Sequence, residues 1–205
     1  AAGRSDVARG ATVPRVSGLL SYNAAHFGSR TAVRIDGDGG VSHAELARRG
    51  AEAAAVLGQH VRPGERVAIW MHNCHAWVTA FLALNALGAV CVPVNTRLTP
   101  AELSVILLDA EVSALITTAH YRGRHYLEEA LTGLPAHPPG MRVIGASDAQ
   151  PAADWTVHAL PGDAGRAPAA ATDPLLCIQY TSGTTATPKG VMLTDRSEEH
   201  TSELQ

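Results

Sequence analysis

The residues with the clearest chemical potential run from Thr181 to Gly190, in the order Thr-Ser-Gly-Thr-Thr-Ala-Thr-Pro-Lys-Gly. Hydroxyl groups donate hydrogen bonds to phosphate oxygens, and glycines let the backbone approach an anion and present its amides to it. A lysine adds a mobile positive charge, and Pro188 stiffens the chain beside Lys189. The composition of this segment therefore predicts a loop that binds a triphosphate.

Two other interpretations of the segment are possible. A short Ser/Thr/Gly-rich piece after a strand is usually an ordinary turn, although a run of this length and order is poorly explained by chance. The common nucleotide-binding loop G-x-x-x-x-G-K-(S/T) is nearly matched by Gly183 and Lys189. However, Pro188 stands at its second glycine, and Gly190 replaces the hydroxyl residue that binds magnesium. This argues against a switch-type or motor NTPase.

The segment closely resembles the signature loop of the AMP-forming acyl-CoA synthetases, adenylation domains and luciferases, roughly (S/T)-(S/T)-G-(S/T)-T-G-x-P-K-G. The main departure is Ala186, which replaces a glycine. Alanine tolerates a positive φ less well than glycine, so we expect a stiffer or slightly displaced loop that still binds. The resemblance implies that the following residues contact or closely approach the phosphates: Thr181, Ser182, Gly183, Thr184, Thr185, Lys189 and Gly190.

Similarity to this family extends from about Leu19 to Leu193. It is carried by the stretches Val41–Leu46, Gly64–Ile69 and Trp77–Asn95, then by Arg97-Leu98, Glu102-Leu103 and Leu107–Asp109. Each of these stretches alone would be unremarkable core. We interpret Trp77, Asn95 and Arg97 as structural residues rather than ligand-binding ones.

The resemblance implies an activity in two steps. In such enzymes a small-molecule carboxylic acid, here expected to be a fatty or related acid, attacks Mg²⁺-bound ATP to give an acyl-adenylate, and coenzyme A then takes the acyl group. The catalytic lysine, adenine-binding motifs and acyl pocket of such enzymes follow this loop, so we expect no catalytic residue in this chain and no complete reaction from it. The alternatives are a peptide-synthetase adenylation domain, a fatty acyl-AMP ligase and a non-catalytic nucleotide-binding fragment.

The elements that must position the loop alternate between strands and helices. This alternation predicts an α/β fold with a doubly wound, mostly parallel sheet and flanking helices. The family resemblance implies the same architecture, that of the N-terminal domain of the adenylate-forming fold. Residues 175–180 read as a buried strand that leads into the loop. The other predicted strands cover 32–35, 41, 66–71, 89–93, 112–117 and 141–144. The predicted helices cover 19–27, 42–57, 74–87, 99–109 and 121–131, with Ser42, Asn73 and Thr99 as their candidate caps.

The composition shifts suggest five segments. Residues 1–18 are expected to be a flexible N-terminus, 19–145 an α/β subdomain and 146–173 a surface connection without secondary structure. Residues 174–195 are expected to begin the next subdomain. The tail 196–205 departs from the family pattern and matches the translation of a sequencing-library adapter, so we expect it to be non-native.

The overall composition is that of a globular protein, with 46% hydrophobic and 17% charged residues. The formal net charge of −3 gives no general attraction to nucleic acid. Cys74, Cys91 and Cys177 are widely separated, which predicts neither a disulfide framework nor a metal site and favours a cytoplasmic location. His72 and His75 have no clustered partner ligands. We expect no transmembrane segment, because the longest apolar stretch is interrupted.

Overall fold

The computed structural model describes residues 16–35, 39–147, 152–162, 175–181 and 188–194. Within these residues a short antiparallel pair precedes a seven-stranded sheet. The pair consists of β1 (Thr31–Val33) and β2 (Val41–Ser42). The strands of the large sheet are β3 (Arg66–Trp70), β4 (Val90–Pro93), β5 (Ala114–Thr118), β6 (Arg142–Ala146), β7 (Thr156–Ala159), β8 (Leu175–Thr181) and β9 (Lys189–Thr194).

The order of strands in the large sheet is β7-β6-β5-β3-β4-β8-β9. The five inner strands run parallel, and β7 and β9 pair antiparallel to their neighbours at the two edges. This mixed sheet with flanking helices confirms the predicted α/β fold. The three central strands β3, β4 and β5 are almost continuously apolar and buried, as expected for parallel strands covered on both faces.

The described residues form five helices beside the sheet. They are α1 (Val16–Phe27), α2 (His43–Leu57), α3 (His75–Ala86), α4 (Pro100–Asp109) and α5 (Tyr126–Thr132). One buried cluster joins α2 and α3 to the face of the sheet that carries Val67 and Ile69. A second joins α4 and α5 to the face that carries Ala68 and Trp70. Successive residues of β3 therefore serve opposite cores, because side chains alternate along a strand.

The start of α4 has the capping arrangement that its sequence predicts. The Thr99 hydroxyl accepts a hydrogen bond from the Glu102 amide, the Glu102 carboxylate accepts one from the Thr99 amide, and Pro100 occupies the first turn. At α2, Ser42 caps the helix as predicted by accepting a bond from the Glu45 amide at 3.2 Å. The carboxylate of Glu45, however, pairs with Arg48 and Arg49 instead of returning to the cap.

Two predicted helix starts are wrong. The N-cap of α3 is Cys74 rather than Asn73, and Cys74 makes no side-chain capping bond. The helix predicted from Tyr121 begins at Tyr126. The residues before it form a turn in which Arg122 and Gly123 have positive φ values of 49° and 80°, a conformation that no α-helix contains.

The surface connection predicted for residues 146–173 is also partly wrong. A short 3-10 turn at Ala152–Asp154 leads into β7, which pairs with β6, and Trp155 between them is only 7% exposed. In addition, β8 and β9 continue the same sheet as β3–β7 rather than starting another. The five segment boundaries stay predictions, and residues 1–15, 163–174 and 195–205 lie outside the described part.

Candidate nucleotide-binding site

The strands β3, β4, β5 and β8 all end at the same edge of the sheet. From the adjacent strands β3 and β4, the chain continues into α3 on one face and α4 on the other. A crevice opens where neighbouring strands send their connections to opposite faces, and in open α/β sheets this is where ligands bind. The crevice here has a volume of about 1320 Å³. Its lining includes His72, Trp77, Asn95, Arg97, Glu102, Tyr121, Arg122, Gln179, Thr181 and Pro188.

The β8–β9 hairpin brings the two flanks of the predicted phosphate loop together. Thr181, the last residue of β8, lies directly opposite Lys189, the first residue of β9. Residues opposite each other in an antiparallel pair project to the same face, so the Thr181 hydroxyl and the Lys189 ammonium share one face of the hairpin. Both side chains are exposed. Lys189 is also the only lysine in the sequence.

The structure locates three of the seven predicted phosphate contacts. Thr181 lines the crevice, whereas Lys189 and Gly190 belong to the adjoining strand and not to the lining. The other four, together with Ala186, lie outside the described residues: Ser182, Gly183, Thr184 and Thr185. Their contacts with phosphate stay predictions, as does the effect of Ala186.

Gly190 has a packing role that the sequence did not reveal. A Cβ at this position would lie 2.8 Å from Cγ2 of Ile178 and 3.1 Å from Cζ of Tyr180. The absence of a side chain therefore lets the Tyr180 ring cross the neighbouring strand. The Tyr180 hydroxyl continues to Asp109 at the end of α4 and donates a hydrogen bond to its Oδ2 at 2.5 Å.

Burial, and then the hydrogen bond to the Asp109 carboxylate, raise the pKa of Tyr180 above its ordinary value. The phenol consequently keeps its proton at neutral pH and can act as the donor in this contact.

On the opposite side of the crevice, the wall loop (residues 94–99, between β4 and α4) is held by Arg124. The Arg124 guanidinium donates to the carbonyl of Thr96 at 2.7 Å and to that of Leu98 at 2.8 Å. It also forms a two-pronged ion pair with Glu129. Its Cζ atom lies 4.7 Å from the ring centroid of Trp70, so the cation is stacked on an aromatic face as well.

Two aromatic rings stack at the mouth of the crevice. The His72 and Tyr121 rings are 3.7 Å apart and nearly parallel, at 3°. The guanidinium of Arg122 lies 5.2 Å from the Tyr121 ring centroid. Residues from the loops after β3 and β5 thus form a flat, positively charged border.

Sequence reasoning missed several residues of this site. Asn95 and Arg97 are exposed at the crevice rather than buried in the core, although Asn95 Oδ1 also fixes the loop by accepting from the Arg97 amide at 2.9 Å. Their position directly after a predicted parallel strand was a usable signal, because binding residues gather at carboxyl ends of such strands. Arg124 and Tyr180 could not be found this way, because their partners are distant in sequence.

The described residues include no group of three or more His, Cys, Asp or Glu side chains that could hold a metal ion. No helix in the described ranges is long and apolar enough to cross a lipid bilayer.

Comparison with known families gives a consistent result. Residues 20–201 match the family described as AMP-binding enzyme. The chain belongs to this family, the AMP-forming, adenylate-forming enzymes.

Among characterised relatives, it is 36% identical over 194 residues to the 3-[(3aS,4S,7aS)-7a-methyl-1,5-dioxo-octahydro-1H-inden-4-yl]propanoyl:CoA ligase of Rhodococcus jostii, covering 86% of this chain and 37% of the relative. It is 30% identical to the crotonobetaine/carnitine–CoA ligase of Salmonella typhi, covering 82% of this chain and 34% of that enzyme.

Solved structures agree. A Mycobacterium tuberculosis fatty acyl CoA synthetase superposes with a TM-score of 0.69 at 28% identity, covering 90% of this chain and 35% of that one. The O-succinylbenzoate coenzyme A synthetase of Bacillus subtilis, solved with AMP, gives a TM-score of 0.62 at 26% identity, covering 85% of this chain and 41% of that one. The chain thus spans roughly a third of the length of the curated relatives it matches, 37% and 34%.

Proposed function

We propose that the protein takes part in the ATP-dependent activation of a carboxylic acid to an acyl-adenylate, followed by transfer of the acyl group to coenzyme A. The observation that carries this proposal is the β8–β9 hairpin. It sets the Thr181 hydroxyl and the Lys189 ammonium on one face, at the carboxyl edge of parallel strands and beside a crevice.

In this proposal the hairpin binds the β- and γ-phosphates of ATP and orients the pyrophosphate that leaves. The chemistry required is positioning and neutralisation of negative charge rather than proton transfer. Lys189 supplies the charge, Thr181 supplies a hydrogen-bond donor, and Ser182, Gly183, Thr184 and Thr185 complete the loop between them. Mg²⁺ would arrive bound to the triphosphate, since this ion is usually held by substrate phosphates and few protein ligands.

The crevice volume of about 1320 Å³ supports a ligand larger than a single small acid. Typical small-molecule pockets span roughly 300–1,000 Å³. The acid itself is not specified by the described residues, and we propose only the class of small carboxylic acids. A fatty or related acid and a cytoplasmic location stay predictions.

The test is carboxylate-dependent exchange of labelled pyrophosphate into ATP, measured on a protein of the relatives' full length that carries this segment. Exchange that requires a carboxylic acid supports adenylation, and its absence with a broad panel of acids contradicts it. The acceptor is then identified by adding either coenzyme A or a carrier protein with a phosphopantetheine arm. Transfer to the carrier alone would favour a peptide-synthetase adenylation domain, and transfer to neither thiol would favour an acyl-AMP ligase.

A further inference from the structure

The β8–β9 hairpin is joined to α4 by a side-chain contact that spans 71 residues of sequence. Tyr180 immediately precedes Thr181, so the contact anchors the strand one residue before the flank of the phosphate loop. Asp109 is the last residue of α4. We propose that Tyr180 and Asp109 form a latch that positions the loop end of the hairpin, and hence its phosphate-binding face, against α4. This inference rests on the proposed function only for its consequence in ATP binding.

The first support is the fit of the three residues involved. The Tyr180 ring lies across Gly190, where a Cβ would come within 3.3 Å of the hydroxyl oxygen and 3.1 Å of Cζ. The ring therefore contacts both strands of the hairpin before its hydroxyl reaches Asp109. One side chain thus links β8, β9 and α4.

The second support is the position of α4 itself. Glu102 in its first turn and Val105 and Ile106 in its middle line the crevice, whereas Asp109 at its end accepts a hydrogen bond from Tyr180. The helix has a capping box at one end and packs through the fully buried Leu103 and Leu107. The helix is therefore a rigid element that borders the crevice and also contacts the hairpin. The latch consequently fixes the position of the hairpin relative to the crevice.

The third support is the chemistry of the contact. A phenol that donates to a carboxylate makes a charge-assisted hydrogen bond, which is shorter and stronger than a neutral one. Deleting the hydroxyl removes this bond but keeps the ring over Gly190. Tyr180→Phe therefore separates the latch from the packing, and Tyr22→Phe on the exposed face of α1 is a matched hydroxyl deletion away from the hairpin.

The structural arm of the test is residue-resolved amide hydrogen exchange on this chain without ligand. We expect Tyr180→Phe to speed the exchange of β8 and β9 amides about tenfold, while amides of β5 and β6 keep their rates. Asp109→Ala should do the same, Asp109→Asn should do so less because an amide oxygen still accepts, and Tyr22→Phe should change nothing.

The double variant decides whether the two residues act as one latch. Combining Tyr180→Phe with Asp109→Ala should add little to either change alone, because both remove the same bond. Additive effects, or wild-type exchange in the hairpin of both single variants, would overturn the proposal.

The functional arm compares the affinities of this chain for MgATP and for AMP. Tyr180→Phe should weaken MgATP about tenfold and leave AMP within about twofold, because only the former has the phosphates that the hairpin binds. An equal loss for both nucleotides would indicate general destabilisation and contradict the positioning role. If the wild-type chain binds neither nucleotide, the proposed phosphate-binding role fails for this chain, and the exchange result still decides the latch.

Discussion

The two sides of the crevice are built in different ways. The wall loop is fixed by several hydrogen bonds at once, from Arg124 to two of its carbonyls and from the capping box between Thr99 and Glu102. The β8–β9 hairpin lies at the edge of the sheet with Met192 64% exposed, and near its tip it meets α4 through Tyr180. The comparison suggests a division of roles, in which the wall contributes stability and the hairpin contributes the chemistry.

The largest effect expected from this division is on activity, at Lys189. Lys189→Ala in a full-length protein should slow pyrophosphate exchange by about 100-fold or more, because one preorganised charge on the leaving phosphates is lost. Since the side chain is exposed, the free energy of unfolding of this chain should change by less than about 0.5 kcal/mol. Pyrophosphate exchange at the wild-type rate would show that Lys189 is not part of the site, and would contradict the chemical role of the hairpin.

The second prediction concerns stability on the wall side. Arg124→Ala should lower the free energy of unfolding by about 2–4 kcal/mol, because two carbonyls and the Glu129 carboxylate lose a charged partner. Urea denaturation measures this change.

Arg122→Ala is the matched control for Arg124. Its guanidinium makes a single cation–π contact with Tyr121, so the loss should stay below about 1 kcal/mol. Equal losses for the two arginines would show that the wall loop does not depend on the bonds of Arg124.

The third prediction concerns the contribution to stability of the packing between Gly190 and Tyr180. Gly190→Ala should destabilise the chain by about 1–3 kcal/mol, because the new methyl group overlaps Ile178 and Tyr180 in a packed position. Gly39 has no atoms near the position of a Cβ, so Gly39→Ala is the control, and it should shift the unfolding free energy by less than about 0.5 kcal/mol. A neutral Gly190→Ala would mean that the ring and the opposite strand are not in close contact.

The smallest predicted effect lies on α2, away from both sides of the crevice. Hydrogen bonds from Arg48 and then Arg49 lower the pKa of Glu45 to about 2 from its ordinary 4.5. Because the folded-state pKa is depressed, the stabilisation is present above pH 4.5 and is lost as the pH falls toward 2. The Glu45 side chain is 34% exposed and its partner Arg48 is 56% exposed, so solvent screening should limit the loss to about 1 kcal/mol.

Unfolding titrations of wild type and Glu45→Gln between pH 5 and 2 measure this effect, and the variant should show the weaker dependence on pH. An identical pH dependence would show that the Glu45 ion pairs contribute no stability.

The elements that sequence predicted well are those whose signals are local. The start of α4 follows from the spacing of Thr99, Pro100 and Glu102, and the end of α3 follows from Gly88, whose φ of +68° favours glycine. The alternation of apolar strands and helices was sufficient to predict the α/β sheet. Family resemblance in the loop predicted which residues contact phosphate, and those contacts stay predictions.

What sequence could not predict depends on contacts between distant residues. The four residues of β7 are too few for their alternation of polar and apolar side chains to predict a strand, and the strand forms because it pairs with β6. Trp155 and Val157, two residues apart, are a weak sequence signal of a buried strand face in this region. Arg124 contacts the wall loop and Tyr180 contacts Asp109, and in both cases the residues are far apart in the chain. No local sequence motif therefore predicts these contacts.

Protection of Lys189 by MgATP tests directly whether the β8–β9 hairpin binds the phosphates of ATP. Because Lys189 is the only lysine, an amine-selective reagent modifies one side chain in this protein, and mass spectrometry follows it without ambiguity from other lysines. We expect MgATP to slow the modification of Lys189 several-fold in this chain, whereas adenosine at the same concentration should not. Equal rates of modification with and without MgATP would contradict it.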